Sequence, residues 1–348
     1  MAEEEDYIQK ALFRMPGPHC DDAALKVSVV GCGAVGSAVA YALCIKNVCT
    51  ELALFDTDAR RLEAELLDLS HASALLATYV YGDSDPAVTA GSELVVVAAG
   101  RRGEEGEPPL LGNMALFCDL IPELARLSPR AVFVVVTDPV EVMTFAAVAF
   151  GDLPVERVVG LGTALETARL RSAVAARLGV HPASVQACVY GVHRDCPVVD
   201  WAGVTVGGVP FLDMDPSTQQ RLQDDPAFSP AALADSSKEI VEKKGCISWS
   251  AALGVVELCS AVLRNTMQIL PVTTHVEVKL GEESLHTFLS LPCVVGGRGV
   301  LATANLQTSA ESRQQFFRAA RRANFIQEHA RQSFFRTAAT ASPQPSTP

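Results

Sequence analysis

Aromatic side chains are scarce in this chain: Phe, Trp and Tyr make up 6% of 348 residues, with two tryptophans. Beside abundant Ala and Val, that scarcity fits a closely packed parallel sheet covered by helices. Basic residues are also outnumbered, 28 Lys and Arg against 40 Asp and Glu. The resulting net charge of −12 argues against nucleic acid or an anionic membrane as partner. It leaves room for a small anionic substrate, because a site's local charge can oppose the net charge. No apolar run reaches the length of a membrane span. The N-terminus, Met-Ala-Glu-Glu-Glu-Asp, has no hydrophobic signal segment, so the expectation is a cytoplasmic protein. Paired C-x-x-C spacings are missing too. The ten cysteines are scattered, which points to buried free thiols in a reducing compartment and to no metal site. No internal repeat is visible beyond a β-α alternation.

What the chain does have begins at Lys26-Val-Ser-Val-Val-Gly-Cys-Gly-Ala-Val-Gly36. A short apolar strand runs into Gly31, Gly33 and Gly36, and an apolar helix follows. In a G-x-G-x-x-G turn the first glycine allows the bend, the second lets a pyrophosphate approach the backbone, and the third lets helix and strand pack closely. The phosphates then meet unpaired N–H groups at a helix N-terminus, here carried by Ala34 and Val35. A second strand, Leu52-Ala-Leu-Phe55, ends in Asp56, placed to accept ribose hydroxyls. That carboxylate favours NAD over NADP, whose extra phosphate it would repel, although Arg60 and Arg61 stand nearby. Further strands are expected at Leu94–Ala99 and Ala131–Val136. The punctuation after them, Ala99-Gly100 and Val136-Thr-Asp138, should line the same crevice at the carboxyl ends of the sheet.

The expected organisation is an N-terminal arm at 1–25, a Rossmann-type doubly wound parallel sheet at 26–160, an α+β substrate domain at 161–331, and a disordered tail at 332–348. In the second half, Glu166–Leu178 reads as a helix, Val185–Tyr190 as a strand and Val204–Phe211 as a hairpin. Lys238–Asn265 is helical with a break near Gly245, Val272–Leu291 supplies antiparallel strands, and Thr308-x-x-Glu311 is a capping box. Two short stretches carry chemistry. Glu166 and Arg169 share one helix face, which by itself describes a surface ion pair. His193 follows an apolar strand, which by itself describes a turn histidine. Together with a dinucleotide fold, they supply what hydride transfer to a keto acid needs: a proton donor, a carboxylate to orient it, and a guanidinium to hold the substrate carboxylate.

From about residue 5 to 331 the chain resembles the L-lactate/malate dehydrogenase family, and within it the animal-type L-lactate dehydrogenase branch. The likeness runs through Val30–Gly36, Glu51–Asp56, Asp68-Leu-Ser-His-Ala-Ser73, Arg177-Leu-Gly-Val-His-Pro182, Lys244-Gly-Cys-Ile-Ser-Trp249 and Leu289-Ser-Leu-Pro-Cys293. The resemblance implies NAD as cofactor, a 2-hydroxy or 2-keto acid substrate, a homotetramer, and an arm that embraces a neighbouring subunit. It makes His193 the acid/base, Glu166 its orienting carboxylate and Arg169 the bidentate clamp. It adds Asn113 to the cofactor site, and Asp138, Ile247 and Arg102 to the substrate site.

The chain also departs from the family pattern. Glu166 stands for an aspartate and Asp138 for an asparagine. Ile247 replaces a threonine, and Val192 and Arg194 replace a glutamate and a glycine beside the histidine. In the loop 101–113, Pro109 takes the place of a carbonyl-polarising arginine, and Gly103 that of a specificity glutamine. Three readings follow: a lactate-type dehydrogenase with reduced or shifted activity, an NAD-binding homologue without efficient turnover, and a malate-type specificity using Arg102. Arg102 and Arg194 are the two candidates to replace the missing guanidinium.

Overall fold

The computed structural model describes residues 25–101, 109–280, 283–305 and 309–341. The arm at 1–24, Arg102, Gly103, Pro108, Thr308 and the end of the chain at 342–348 lie outside the described residues.

Six parallel strands form the first half: β1 (Lys26–Val30), β2 (Glu51–Phe55), β3 (Tyr79–Asp83), β4 (Leu94–Val97), β5 (Val132–Val135) and β6 (Val158–Gly160). They lie in the order β3-β2-β1-β4-β5-β6, the doubly wound arrangement expected from the sequence. Every side chain of β4 (Leu-Val-Val-Val) and β5 (Val-Phe-Val-Val) is buried, as a strand covered on both faces requires. Covering helices are α1 (Ala34–Ile45), α2 (Ala59–His71), α3 (Leu110–Leu127) and α4 (Val140–Gly151). Asp58 starts α2 by accepting the Arg61 N–H at 3.1 Å. The strand order reverses between β1 and β4, and the crevice at their carboxyl ends is where such sheets bind ligands.

The sheet does not stop at β6. Strand β12 (Gln268–Leu280) runs antiparallel to β6 through Thr273 and Gly160, and pairs along its length with β13 (Glu283–Gly296). Between β6 and β12 the chain builds α5 (Ala164–Leu178), α6 (Pro216–Gln223), α7 (Pro230–Lys244) and α8 (Trp249–Leu263); Gly245, at φ +84°, ends α7 and makes the expected break. The hairpin at 204–211 is present as β10 (Thr205–Val206) and β11 (Val209–Pro210), with Gly207 and Gly208 of its two-residue turn both at positive φ.

Two sequence expectations are corrected. The single strand at 185–190 is two, β7 (Val185–Gln186) in a small second sheet and β8 (Val189–Val192) in the main one. The C-terminal helix α9 (Ala310–Ala341) continues through the stretch expected to be a tail from 332, its Phe334 packing against Phe150 of α4 at 5.4 Å. Ser309 precedes this helix and accepts the Ser312 N–H at 3.1 Å.

Candidate active site

The glycine turn is shaped as its spacing suggests. Gly31 lies at φ +93°, and a methyl group there would strike the Ala99 backbone at 2.6 Å. A methyl at Gly36 would overlap the Gly31 carbonyl oxygen, whereas one at Gly33 would meet nothing within 4 Å. Gly33 thus leaves open space where α1 begins with no side-chain cap and no acidic residue in its first turn. Ala34 and Val35 are the first residues of that helix. Free N–H groups at an uncapped helix start form a site for phosphate. Asp56 leaves β2 and is locked in place: Oδ2 accepts the Cys32 N–H at 2.7 Å and Oδ1 that of Asp58 at 2.9 Å. A carboxylate has about four acceptor positions, so ribose hydroxyls can still be taken up. Ala99 and Gly100 follow β4, and the Ala99 carbonyl accepts the Thr137 hydroxyl at 2.7 Å. Val136 follows β5 and donates its N–H to Val97 at 2.9 Å. Asn113 is buried on α3; it accepts the Arg101 N–H at 2.7 Å and donates to the Asp138 carbonyl at 3.2 Å, tying two crevice loops together.

The acid/base cluster is assembled from separate segments. His193, Arg194 and Asp195 form the turn between β8 and an unanticipated strand, β9 (Cys196–Val199). His193 is therefore a turn histidine, but one with a buried partner: its Nδ1 lies 2.9 and 3.0 Å from the two oxygens of Glu166. Glu166 is fully buried in the first turn of α5, which rules out a surface ion pair with Arg169. The Arg169 guanidinium lies 3.9 Å from Glu166, and its Nη1 donates to the Leu233 carbonyl at 3.0 Å. Its Nη2 is buried and has no hydrogen-bond partner among the described residues. A buried guanidinium N–H without an acceptor is costly, and an incoming carboxylate would fill that place.

Two more carboxylates surround the imidazole. Asp138 Oδ1 lies 3.8 Å from Nε2, and Glu141 Oε1 accepts the His193 backbone N–H at 2.8 Å. Burial disfavours a charged imidazole, but the charges of Glu166, Asp138 and Glu141 and the Glu166 hydrogen bond outweigh it. The His193 pKa is pushed up from 6.5 to about 9. Burial also acts on Glu166, yet the His193 cation and hydrogen bond, with Arg169, hold it below the ordinary range. Glu141 has less compensation, and burial pushes it up to about 7. A cavity of about 260 Å³ opens beside this cluster, bounded by Asp138, Glu141, His193, Arg194 and the α9 residues Ala323 and Gln327.

The two halves of the chain match two parts of one family. Residues 25–160 match its description "lactate/malate dehydrogenase, NAD binding domain", and residues 163–327 "lactate/malate dehydrogenase, alpha/beta C-terminal domain". The chain belongs to the lactate/malate dehydrogenase family. Among its relatives, the L-lactate dehydrogenase A chain of Parachaenichthys charcoti is 36% identical over 296 residues, covering 83% of this chain and 88% of the relative. That of Champsocephalus gunnari is 36% identical over 301 residues, covering 85% and 90%.

As in the family, the first half is an NAD-binding domain, and the open Gly33 cradle and the uncapped start of α1 fit that cofactor. Replacing Asp56 by Ala removes a charged acceptor and is expected to weaken NADH binding by roughly 10- to 100-fold while narrowing the preference over NADPH. Calorimetric titration with both nucleotides checks it. Two departures from the family pattern are now placed. Pro109 is the residue before α3 and carries no guanidinium. Ile247, expected against substrate, packs onto the larger core cluster and does not line the cavity beside His193, because the chain turns at Gly245 and enters α8 just after it. Among the described residues no group of His, Cys, Asp and Glu could hold a metal, and no helix is long and apolar enough to cross a membrane. Sequence reasoning missed Glu141. The available signal was a lone carboxylate in Val140-Glu-Val-Met-Thr-Phe145, an otherwise apolar helix start that had to find it a partner.

Proposed function

We propose that the chain is an NAD-dependent 2-hydroxy acid dehydrogenase, interconverting L-lactate and pyruvate. The observation that carries this reading is the buried His193–Glu166–Arg169 group, which pairs an oriented proton donor with an unsatisfied guanidinium N–H. NAD, when bound, supplies or accepts the hydride. Glu166 fixes the proton on Nδ1 and stabilises the imidazolium, leaving Nε2 to give its proton to the carbonyl oxygen. Arg169 binds the substrate carboxylate and thereby sets which carbon faces the cofactor. Glu141 holds the backbone of the turn that carries the imidazole.

The protonation states follow from the raised His193 pKa. Reduction of the keto acid uses the imidazolium, so kcat/KM for pyruvate should be level at neutral pH and fall as pH rises through about 9. Oxidation of lactate uses the neutral ring and should rise over the same range. Glu141→Gln removes one charge that holds the proton and should move the midpoint down in both directions. Profiles recorded from pH 6 to 10 decide this.

The reading is tested by NADH oxidation with pyruvate, a bulkier 2-keto acid and oxaloacetate, the last covering malate-type specificity. Oxidation with any of them supports the dehydrogenase. One observation favours a second reading, an NAD-binding homologue without efficient turnover: the Asp138 charge stands where an anionic substrate approaches Nε2. NADH binding with no oxidation by any of these acids would favour it. We further propose a cytoplasmic homotetramer. Support for assembly comes from apolar side chains left exposed on α8 and β12: Trp249 at 65%, Leu253 at 54% and Ile269 at 61%.

A further inference from the structure

Reducing a carbonyl builds negative charge on its oxygen, and a single imidazolium donor leaves much of that charge unmatched. Two further cations bound the cavity beside the imidazole, Lys238, which pairs with Asp235 at 2.7 Å, and Arg194. Arg194 is the middle residue of the turn that begins with His193, and its Nη1 lies 3.1 Å from Asp138 Oδ2. The other oxygen of the same carboxylate is 3.8 Å from His193 Nε2. The Asp138 carboxylate thus lies between an imidazolium N–H and a guanidinium, the two donors a developing oxyanion would use. Arg194 also lies near enough to Arg169 for their charges to repel. Its backbone is at φ +60°, a conformation that suits glycine and costs an ordinary L-residue on the order of 1 kcal/mol. A long cationic side chain kept at such a position, with 28% of it exposed, faces the cavity instead of extending into solvent.

We propose that Arg194 is a catalytic residue, polarising the substrate carbonyl oxygen opposite His193 Nε2, and that Asp138 holds its guanidinium in place until substrate enters. This rests on the dehydrogenase reading and deepens it. The 2-keto acid's C=O π bond breaks, its carbon gains a C–H bond by accepting hydride from NADH, and its oxygen gains the Nε2 proton. The products are the 2-hydroxy acid, NAD⁺ and neutral His193. Arg194 forms no covalent bond and gives up no proton. Asp138 balances one of the two arginine charges, so substrate enters a site whose cations do not drive one another apart.

The test compares wild type with Arg194→Ala, Arg194→Lys, Asp138→Asn and the Arg194→Ala/Asp138→Asn double variant. Two readouts are used: single-turnover NADH oxidation with pyruvate, and calorimetric binding of oxamate, a non-reacting 2-keto acid analogue, to the NADH complex. Loss of one donor at a developing oxyanion should cut the Arg194→Ala turnover rate about 10²- to 10³-fold with NADH affinity unchanged. The lysine variant should fall between, and added guanidinium ion should partly restore Arg194→Ala, which a role confined to folding would not allow. Wild-type turnover in Arg194→Ala would overturn the proposal. So would full recovery in the double variant, because Arg194 would then serve only to neutralise Asp138. If wild type oxidises no NADH, the dehydrogenase reading fails by itself and oxamate binding decides the Arg194 contact. Binding at least tenfold weaker in Arg194→Ala supports it, and equal binding overturns it.

Discussion

Substituting His193 by Asn should lower turnover by about 10² to 10⁴-fold, the ordinary worth of a positioned general acid/base. Asparagine keeps a donor of similar reach but has no proton to transfer at neutral pH. NADH binding should be unchanged, because the glycine turn, Asp56 and Asn113 lie on other segments. The same substitution should also destabilise the fold. It leaves Glu166 fully buried beside Arg169 at 3.9 Å but without the imidazolium at 2.9 Å. Stranding a buried charge typically costs about 3–5 kcal/mol. In the wild type the sign is clear: a folded-state pKa of about 9 against an ordinary 6.5 gives stability that is fully present below pH 6.5 and fades as pH rises through 9. In His193→Asn that contribution is gone, so the gap in melting temperature between the two proteins should be widest near pH 6 and narrow towards pH 10. Equal melting temperatures throughout would mean that the imidazolium is not the counter-ion of Glu166.

The second large effect is at Arg169. A carboxylate held by a guanidinium fork gains two charge-assisted hydrogen bonds, each worth roughly 1.5–3 kcal/mol. Arg169→Ala should therefore reduce kcat/KM for pyruvate by about 10² to 10⁴-fold, and Arg169→Lys should recover only part, since an ammonium cannot reproduce the fork. Loss of the clamp affects ground state and transition state alike, so much of the change should fall on KM, whereas His193→Asn should act on kcat. Steady-state kinetics of both variants separate the two roles. A purely structural Arg169, spent on its 3.0 Å bond to the Leu233 carbonyl, would lower stability and leave KM for the remaining folded enzyme unchanged.

Much of this was legible in the residues because the governing constraints are local. Gly31 and Gly36 declare themselves by spacing, and the structure supplies the reason: a side chain at either would strike backbone. Asp56 announces itself as a carboxylate at the end of an apolar strand. The continuous valines of β4 and β5 say that both faces are covered. What stayed hidden depends on contacts between distant segments. Nothing near His193 tells that Glu141, 52 positions earlier, accepts its backbone N–H, or that β9 turns the chain back after it. The Arg194–Asp138 pair spans 56 positions and joins two departures from the family pattern that look unrelated one at a time. The helical stretch 332–341 was masked by its composition. Ala, Ser and Thr read as tail, but Phe334 anchors the helix against α4 through Phe150.

In the proposed reaction His193 and Arg169 place a 2-keto acid so that its carbonyl carbon takes hydride from NADH. Its most direct test is the fate of a label: NADH carrying deuterium at the transferred C4 position is incubated with pyruvate and the protein, and the product acid is analysed by mass spectrometry and NMR. Wild type should place one deuterium at C2 of L-lactate, and His193→Asn should form the labelled acid at least about 10²-fold more slowly. NADH that binds but leaves no label in any product, or label that appears equally with His193→Asn, would contradict it.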